Sequence, residues 1–191
     1  MSQINEALII DLDNTLVKTN TTFEFMEILC PLRYAVFSRY FKPLLLLNMI
    51  FKKDFYKLMM IMVCIKRHKK RELECYAKIY YEMTKKNWSK YYNGNVLNLL
   101  QTETYKAKVL LTASLDFIAN NFKELGFDLI IASKTLYKNE RFQSFFDLYG
   151  RKSGIVKILS KHFDNILIID DDPEPAFYTL NKKITVVRFS K

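Results

Sequence analysis

Two aspartates, Asp11 and Asp13, follow a short apolar run near the start of the chain and could act on a phosphoryl group. The run, Ala7 to Ile10, reads as a buried strand. A carboxylate at a strand tip can attack phosphorus and form an aspartyl phosphate. An acid two residues on can protonate the leaving oxygen and then deprotonate the attacking water. The turn between them must bring both carboxyls together, and Asn14 tolerates the left-handed backbone that such a turn often uses.

A second acidic group, Asp170 to Glu174, follows another apolar run. Several carboxylates opposite Asp11 would repel one another unless a cation lies among them. Mg²⁺ fits, because it prefers carboxylate oxygen and water and can bridge to a substrate phosphate. The alternative is an acidic turn that caps a helix. That alternative accounts for one acid well and for four poorly.

Thr112 ends a further apolar run and precedes a predicted helix. Its hydroxyl and the backbone N–H groups that follow, beginning with that of Ala113, can donate to a phosphoryl oxygen. A threonine at a strand end before a serine cap is also common for structural reasons, so this signal is weaker than the acidic ones.

Lys152 lies just before the helix that leads to the second acidic group. An ammonium there could neutralise Asp11 and the phosphoryl charge between Asp11 and Asp170. Arg151 and Lys157 compete for this role, and we favour Lys152.

These residues must be positioned by alternating strands and helices. The predicted strands are Ala7–Ile10, Ala107–Leu111, Asp128–Ala132, Ile166–Ile169 and Ile184–Val187. The predicted helices between and after them are Leu115–Glu124 with Ser114 as N-cap and Gly126 at its end, Ile155–His162, and one with Pro173 in its first turn. This alternation indicates an α/β fold, a Rossmann-like doubly wound parallel sheet of about five strands. Ligands of such sheets bind beyond the carboxyl ends of the strands, where the candidate residues collect.

An insertion interrupts this alternation directly after the first strand. Apolar residues recur here at helical spacing, as in Phe23, Met26 and Cys30, with Glu27 on the same face, and in Phe55, Leu58, Met59, Met62 and Val63. We predict four or five helices here. The chain therefore divides into a core of residues 1–17 and 101–191 and an all-helical cap of residues 18–100.

In chain order, Asp11 with Asp13, Thr112, Lys152 and the run Asp170–Glu174 resemble the four motifs of the haloacid dehalogenase (HAD) superfamily of hydrolases. The helical insertion after the first motif resembles a C1-type cap, as in the phosphoserine-phosphatase-like branch. The resemblance covers nearly the whole chain. Its first and fourth motifs are the specific ones.

A narrower resemblance rests on LLTAS at 110–114, LIIAS at 129–133 and the basic, hydrophobic cap. These features are similar to HAD domains fused to UbiA-type membrane prenyltransferases.

The resemblance implies that Asp11 is a nucleophile and Asp13 an acid and base. It further implies that Asp11, the backbone carbonyl of Asp13 and Asp170 bind Mg²⁺, and that Asp171 and Glu174 support the metal or its waters. Many relatives have Gly-Asp-x-x-x-Asp in the fourth motif, whereas this chain ends it with Glu174, whose reach is one methylene longer.

Composition excludes several other classes of protein. Half of the 191 residues are hydrophobic, which excludes wholesale disorder, and 4 Gly with 4 Pro exclude a collagen-like chain. Two histidines make a His-rich metal site impossible and a Ser/His triad improbable. The three cysteines (Cys30, Cys64, Cys75) show no CxxC spacing, so we expect reduced core thiols in a cytoplasmic protein. The beginning lacks the basic n-region of a signal peptide, and the longest uncharged apolar run in the middle of the chain, residues 43–51, is about half of a membrane span.

The positive charge is concentrated in one segment. Residues 33–90 hold 15 Lys and Arg against 4 Asp and Glu, a net charge of +11, whereas the whole chain has +10. Exposed-looking aromatic residues accompany this charge, namely Tyr34, Phe37, Tyr40, Phe41, Phe51, Phe55 and Tyr56. They predict either a cap that buries them, with the lysines as a solvated rim, or a surface that contacts the inner face of an anionic membrane. Nucleic acid ranks lower, because no nucleic-acid-reading motif is present.

The expected function is Mg²⁺-dependent hydrolysis of a small phosphorylated substrate, a lipid-linked or sugar phosphate, through an aspartyl phosphate. The alternatives are a phosphotransferase of the same fold and a non-catalytic basic module that binds membrane or nucleic acid. The residues predict no oligomeric state.

Overall fold

A computed structural model describes residues 5–40, 54–102, 104–180 and 183–189. Its six strands are β1 (Glu6–Ile10), β2 (Ala107–Leu115), β3 (Leu129–Lys138), β4 (Arg141–Phe146), β5 (Asn165–Asp170) and β6 (Ile184–Arg188). They form one sheet in the order β4-β3-β2-β1-β5-β6. All neighbours are parallel except β3 and β4. The expected α/β, Rossmann-like sheet is confirmed.

The central strand β1 is apolar on both faces because it pairs on both edges and is covered on both sides. Ala7 and Ile9 join one buried cluster with Val156 and Phe177. Leu8 and Ile10 point the other way and join a larger cluster to which the inserted helices contribute. β1 therefore runs through the middle of the core, and its carboxyl end opens into the site described below.

The expectation of about five strands missed β4. This strand pairs antiparallel with β3 through a two-residue turn, Asn139-Glu140, in which both residues have positive φ, 49° and 65°. Such a turn matches the twist of a hairpin, and its usual sequence signal is Asn-Gly. With glutamate at the second position and the exposed Arg141 at the start of β4, the segment carries no such signal.

The segment after β2 also differs from expectation. Instead of ending at Leu111, β2 continues to Leu115, so Ser114 lies within the strand and does not cap a helix. One helical turn, α7 (Asp116–Ala119), and a 3₁₀ helix (Asn120–Leu125) follow in place of the predicted continuous helix. The predicted stop at Gly126 is confirmed, with a φ of 98° that glycine adopts without strain.

The remaining helices lie in two places. Between β1 and β2 are α1 (Thr21–Leu29), α2 (Pro31–Tyr40), α3 (Phe55–Cys64), α4 (Lys70–Lys86), α5 (Trp88–Tyr91) and α6 (Gly94–Gln101). Further along are α8 (Lys152–Leu159) and α9 (Phe177–Leu180). Within the described ranges, the insertion contains helices and no strand. The boundaries of a core at 1–17 and 101–191 and a cap at 18–100 stay a prediction.

The helical spacing in the insertion was recognised correctly, but the buried face of α3 was not. The residues that α3 buries are Tyr56, Lys57, Met60, Ile61 and Cys64. Leu58, Met59 and Met62, which the spacing had grouped together as one apolar face, are 37–39% exposed. Both faces of α3 are apolar, so periodicity could not tell which one packs inward.

The aromatic residues of the insertion are divided between core and surface. Phe37 and Tyr56 are buried with ring centroids 5.4 Å apart, as the alternative of a cap that buries its aromatic residues predicts. Tyr40 is 69% exposed. Phe41 and Phe51 lie outside the described residues, as do Lys52, Lys53 and the whole apolar run at 43–51.

The expectation of three reduced core thiols is also wrong. Cys30 and Cys64 form a disulfide, and Cys75 is exposed on α4. The pair joins the end of α1 to the end of α3, two helix ends that packing brings together with a Cα–Cα distance of 5.9 Å. A separation of 34 residues gave no sequence signal for this contact.

Across the ranges that the structure describes, no helix combines the length and the apolar character needed to cross a lipid bilayer.

Candidate active site

A cavity of about 720 Å³ opens at the carboxyl ends of β1, β2 and β5. Its lining includes the candidate residues Asp11, Asp13, Ala113, Lys152, Asp170, Asp171 and Glu174. The parallel register of β1 with β2 and β5 places these strand ends side by side. Most residues that the sequence analysis selected therefore meet in one place.

The centre of the cavity is a buried triad of charges. The Nζ of Lys152 lies 2.8 Å from an Oδ of Asp11 and 2.9 Å from an Oδ of Asp170. Asp11 and Asp170 stand at the tips of adjacent strands, and Lys152 is the first residue of α8. Lys157, its competitor in the sequence analysis, is exposed one turn further along α8. The structure thus brings Lys152 to the nucleophile candidate.

Asp13 is held by the first turn of α1. One of its oxygens accepts hydrogen bonds from the backbone N–H of Thr21, at 2.7 Å, and from the Thr21 hydroxyl, at 2.6 Å. That hydroxyl has a single proton, so it must accept from Ser114, which in turn accepts from Thr22. This chain of hydroxyls, Thr22 to Ser114 to Thr21, orients the carboxyl of Asp13.

Asn14 completes the turn between the two aspartates and α1. Its φ is 59°, as expected for a residue that lets the chain reverse after the strand. Backbone hydrogen bonds from Leu16 and Val17 to the carbonyls of Asp11 and Leu12 close the turn.

The two aspartates have raised pKa values. Burial raises the pKa of Asp11 to about 7, opposed by Lys152 and reinforced by Asp170 and Asp13. Burial also raises the pKa of Asp13, and its hydrogen bonds with Thr21 limit the rise. Burial disfavours the charged form of Lys152, but Asp11 and Asp170 outweigh it and raise the pKa of Lys152 above its ordinary value. Lys152 is therefore a permanent cation at neutral pH.

The acidic residues offer a site that suits a hard divalent cation. Among the described residues, one oxygen each of Asp11, Asp170 and Asp171 lie within 4.8 Å of one another. Lys152 supplies one positive charge to three carboxylates, so negative charge remains in a buried place. Oxygen donors of this kind are those that Mg²⁺ prefers. Thr15, to which the sequence analysis gave no role, fixes this loop by accepting the backbone N–H of Asp171 at 2.9 Å.

Glu174 lies in the cavity but does not belong to that group of three acids. Its two oxygens accept the backbone N–H groups of Lys152 and Ser153, at 2.7 and 2.9 Å. These N–H groups begin α8, where a negative charge is favourable. In the structure Glu174 therefore caps the helix that carries Lys152, and its support of a metal stays a prediction.

Thr112 and Ala113 adjoin the cavity differently. Ala113 lines it, whereas the side chain of Thr112 is fully buried and accepts the backbone N–H of Ser114 at 3.0 Å. Their role in phosphate binding stays a prediction.

Lys57 is a residue near the site that the sequence analysis missed. Its side chain is buried, donates to the carbonyl of Ala113 and lies 2.8 Å from Asp147 and 3.5 Å from Ser133. Ser133, in the middle of β3, also donates to the Ala113 carbonyl, at 2.7 Å. Lys57 thus connects α3 of the insertion to the peptide at Ala113. The sequence signal for this residue is a lysine three positions before Met60, on the same face of an otherwise apolar helix.

The fold resembles those of several solved structures. It matches a protein of unknown function from Bordetella pertussis Tohama I with a TM-score of 0.72 and 14% identity, over 93% of this chain and 87% of that one. It also matches a phosphoserine phosphatase from T. onnurineus, with a TM-score of 0.60 and 15% identity over 97% and 86% of the two chains. A phosphoserine phosphohydrolase-like protein from Francisella tularensis subsp. tularensis SCHU S4 has a TM-score of 0.59 and 15% identity, over 94% of each chain. At this identity the likeness establishes the fold.

The sequence itself matches no curated protein. It does match the family model of haloacid dehalogenase-like hydrolases over residues 8–156, which include Asp11, Asp13, Thr112 and Lys152. The match covers more than three quarters of the chain. The chain therefore belongs to the family of haloacid dehalogenase-like hydrolases.

Proposed function

We propose that the protein is a Mg²⁺-dependent phosphomonoester hydrolase that works through an aspartyl phosphate on Asp11. In the first step an oxygen of Asp11 attacks phosphorus, the bond from phosphorus to the ester oxygen breaks, and Asp13 gives its proton to that oxygen. In the second step Asp13 takes a proton from water, whose oxygen attacks phosphorus. The bond to Asp11 then breaks, and inorganic phosphate leaves.

The observation that carries this proposal is the contact of Asp11 with Lys152 beside an independently anchored Asp13. A carboxylate nucleophile must be held in place, and a positive charge must offset its own negative charge and that of the phosphoryl group. The ammonium of Lys152, 2.8 Å from Asp11, supplies that positive charge. A general acid needs a pKa above that of an ordinary aspartate, and burial raises the pKa of Asp13. The fixed chain of hydroxyls from Thr22 through Ser114 holds that acid in place.

Asp11, Asp170 and Asp171 are the side chains that would hold Mg²⁺, together with the backbone carbonyl of Asp13. The ion would supply positive charge next to the substrate phosphate and reduce the repulsion between that phosphate and the carboxylates. Glu174 would act indirectly, by holding the first turn of α8.

The phosphoryl oxygens would be bound by Lys152, by the backbone N–H of Ala113 and by the hydroxyl of Thr112. In this proposal the helical insertion, residues 18–100, acts as a C1-type cap over the cavity, as in the phosphoserine-phosphatase-like branch and the domains fused to UbiA-type prenyltransferases. The proposed substrates are lipid-linked or sugar phosphates.

Release of inorganic phosphate from a panel of phosphomonoesters tests this function. The panel holds an aryl phosphate and sugar, lipid, amino-acid and nucleotide monophosphates, each with Mg²⁺ and with a chelator. We expect release that requires Mg²⁺ and that Asp11→Asn abolishes. Adding an alcohol as acceptor tests for phosphotransfer, because a transferase would form the alcohol's phosphate ester in place of inorganic phosphate. No turnover of any member would contradict the proposal.

A specific observation favours an additional role at an anionic membrane. Leu32, Val36 and Tyr40 follow one another at intervals of four residues along α2 and are 59–84% exposed, and Ile28 on the preceding helix α1 is 52% exposed. They belong to or adjoin the segment with a net charge of +11. Basic residues near an anionic bilayer contribute about 1 kcal/mol each, and exposed apolar side chains deepen the contact. We propose that this stripe docks peripherally on anionic membrane.

Co-sedimentation with vesicles of anionic lipid, at low and high salt, tests the docking. We expect binding at low salt that falls with salt and that Leu32→Asp with Val36→Asp abolishes. Ile158→Asp on α8, a comparably exposed position, is the matched control and should leave binding unchanged. Absence of binding at low salt would contradict the proposal, as would stronger binding to RNA than to vesicles.

A further inference from the structure

A second groove, of about 300 Å³, lies beside the catalytic cavity. Its lining comes from the exposed face of α3, from the hairpin strand β4 and from the loop at 147–151. Its lining includes the apolar and aromatic side chains of Leu58, Met62, Phe145, Phe146 and Tyr149. Its volume lies at the lower end of the range of about 300–1,000 Å³ that small-molecule sites occupy.

The groove brings together several partly exposed apolar side chains. Leu58, Met62, Phe146 and Tyr149 are 39%, 37%, 51% and 43% exposed. They come from three different segments of the chain and face one space. Apolar and aromatic side chains that converge on a concave space are the usual lining of a small-molecule site.

The charged groups in the groove already have partners within the protein. Asp54 caps α3 by accepting the backbone N–H of Lys57 at 2.8 Å. Asp147 pairs with the ammonium of Lys57, also at 2.8 Å. The guanidinium of Arg151 lies over the ring of Phe146, 4.9 Å from its centroid. The groove therefore offers an occupant mainly apolar contacts.

The groove and the catalytic cavity adjoin at one side chain. Tyr149 lines both the groove and the cavity. Shortly after it in the chain, Arg151 lines the groove and Lys152 lines the cavity. A molecule whose phosphate lies against Lys152 can thus extend past Tyr149 along α3.

From this continuity we infer that the substrate is a phosphate monoester of a long-chain apolar alcohol, with its chain in the groove between α3 and β4. This inference rests on the proposed function, because it takes the phosphate to lie beside Asp11 and Lys152. The recognised chemistry is an alkyl or isoprenoid chain joined directly to phosphate. A sugar or an amino acid would leave the apolar walls uncovered.

The test is a series of ethyl, butyl, hexyl and octyl phosphate, assayed with Mg²⁺ below the concentrations at which they aggregate. Each methylene that enters the groove should raise kcat/KM by about threefold to fourfold until the groove is filled. Leu58→Gln and Met62→Gln should remove most of this dependence on chain length. Leu99→Gln is the matched control, at a position on α6 that is 36% exposed and lines neither the groove nor the cavity. This variant should keep the dependence of kcat/KM on chain length.

A binding measurement separates failure of this inference from failure of the proposed function. The probes are ethyl and octyl phosphonate, which cannot be hydrolysed, titrated calorimetrically into the protein with Mg²⁺. We expect octyl phosphonate to bind at least thirtyfold more tightly, and Leu58→Gln to reduce that ratio severalfold. Turnover of ethyl and octyl phosphate at equal kcat/KM, with equal binding of the phosphonates, would overturn the inference and leave the hydrolase proposal standing. Tighter binding of the octyl compound without turnover of any ester would overturn the hydrolase and keep the apolar site.

Discussion

The ammonium of Lys152 lies 2.8 Å from a carboxylate oxygen of Asp11, although 141 residues separate them in the chain. The contact arises because the carboxyl end of β1 and the first turn of α8 lie next to each other in the fold. Glu174 holds that first turn of α8 in place. One buried cation thereby serves two strand tips, since Lys152 also pairs with Asp170.

Replacement of this cation should disable the enzyme. We expect Lys152→Met to lower kcat on an aryl phosphate by about 10²–10³, because a preorganised charge at the reacting group is lost. Lys157→Met, on the same helix but exposed, is the matched control and should retain activity. Equal kcat for the two variants would show that the contact of Lys152 with Asp11 has no catalytic role.

The nucleophile should lower the stability of the metal-free protein. Burial raises the pKa of Asp11 to about 7, so its contribution to stability is present at acid pH and is lost as pH rises through 7. Asp11→Asn does not titrate. In the presence of a chelator we therefore expect its melting temperature to exceed that of the wild type by more at about pH 8 than at about pH 5, on a scale of about 2–4 °C per kcal/mol. If the difference in melting temperature between Asp11→Asn and the wild type were the same at both pH values, or smaller at the higher pH, the raised pKa of Asp11 would be contradicted.

Much of the site could be predicted from the sequence because strand tips are visible in it. Apolar runs that end in acids identify the carboxyl ends of β1 and β5, and a parallel sheet brings such ends to one edge. This reasoning led to Asp11, Asp13 and Asp170 without knowledge of any contact. The sequence favoured Lys152 but left Arg151 and Lys157 as alternatives, and in the structure it is Lys152 that contacts Asp11.

The features that were missed depend on contacts between distant segments. The disulfide of Cys30 with Cys64 depends on how two helix ends pack. The position of Lys57 depends on which apolar face of α3 turns inward, and that choice also creates the groove beside the site. β4 escaped prediction because Asn139-Glu140 lacks the glycine that usually marks such a turn.

The ion pair of the buried Lys57 with the half-buried Asp147 should couple the insertion to the rest of the fold. Lys57→Met leaves the half-buried carboxylate of Asp147 without its cation, so it should lower the free energy of unfolding by about 1–3 kcal/mol. The double variant with Asp147→Asn should be destabilised by less than the sum of the single variants. As a control, the same single and double substitutions at the exposed pair of Lys85 with Glu124 should give a coupling free energy below about 1 kcal/mol. Additive effects at Lys57 and Asp147 in denaturant titrations would contradict the pairing.

Metal dependence should be strict and selective. We expect chelation to abolish turnover and Mg²⁺ to restore it. Ca²⁺ should inhibit, because it takes six to eight oxygens in looser geometry and would engage both oxygens of Asp11. Asp170→Ala should weaken Mg²⁺ binding, measured by calorimetry. Full activity in the presence of a chelator would contradict the metal assignment.

The central claim is that Asp11 carries the phosphoryl group, and mass spectrometry of Asp13→Asn tests it most directly. This variant keeps the nucleophile but lacks the base for the second step, so its turnover should fall by about 10²–10⁴ and its phosphoenzyme should persist. After incubation with an aryl phosphate and Mg²⁺, an acid quench and digestion, we predict one phosphoryl group on the peptide that contains Asp11, and none in the variant that also carries Asp11→Asn. Release of inorganic phosphate at the wild-type rate with that peptide unmodified would contradict the account.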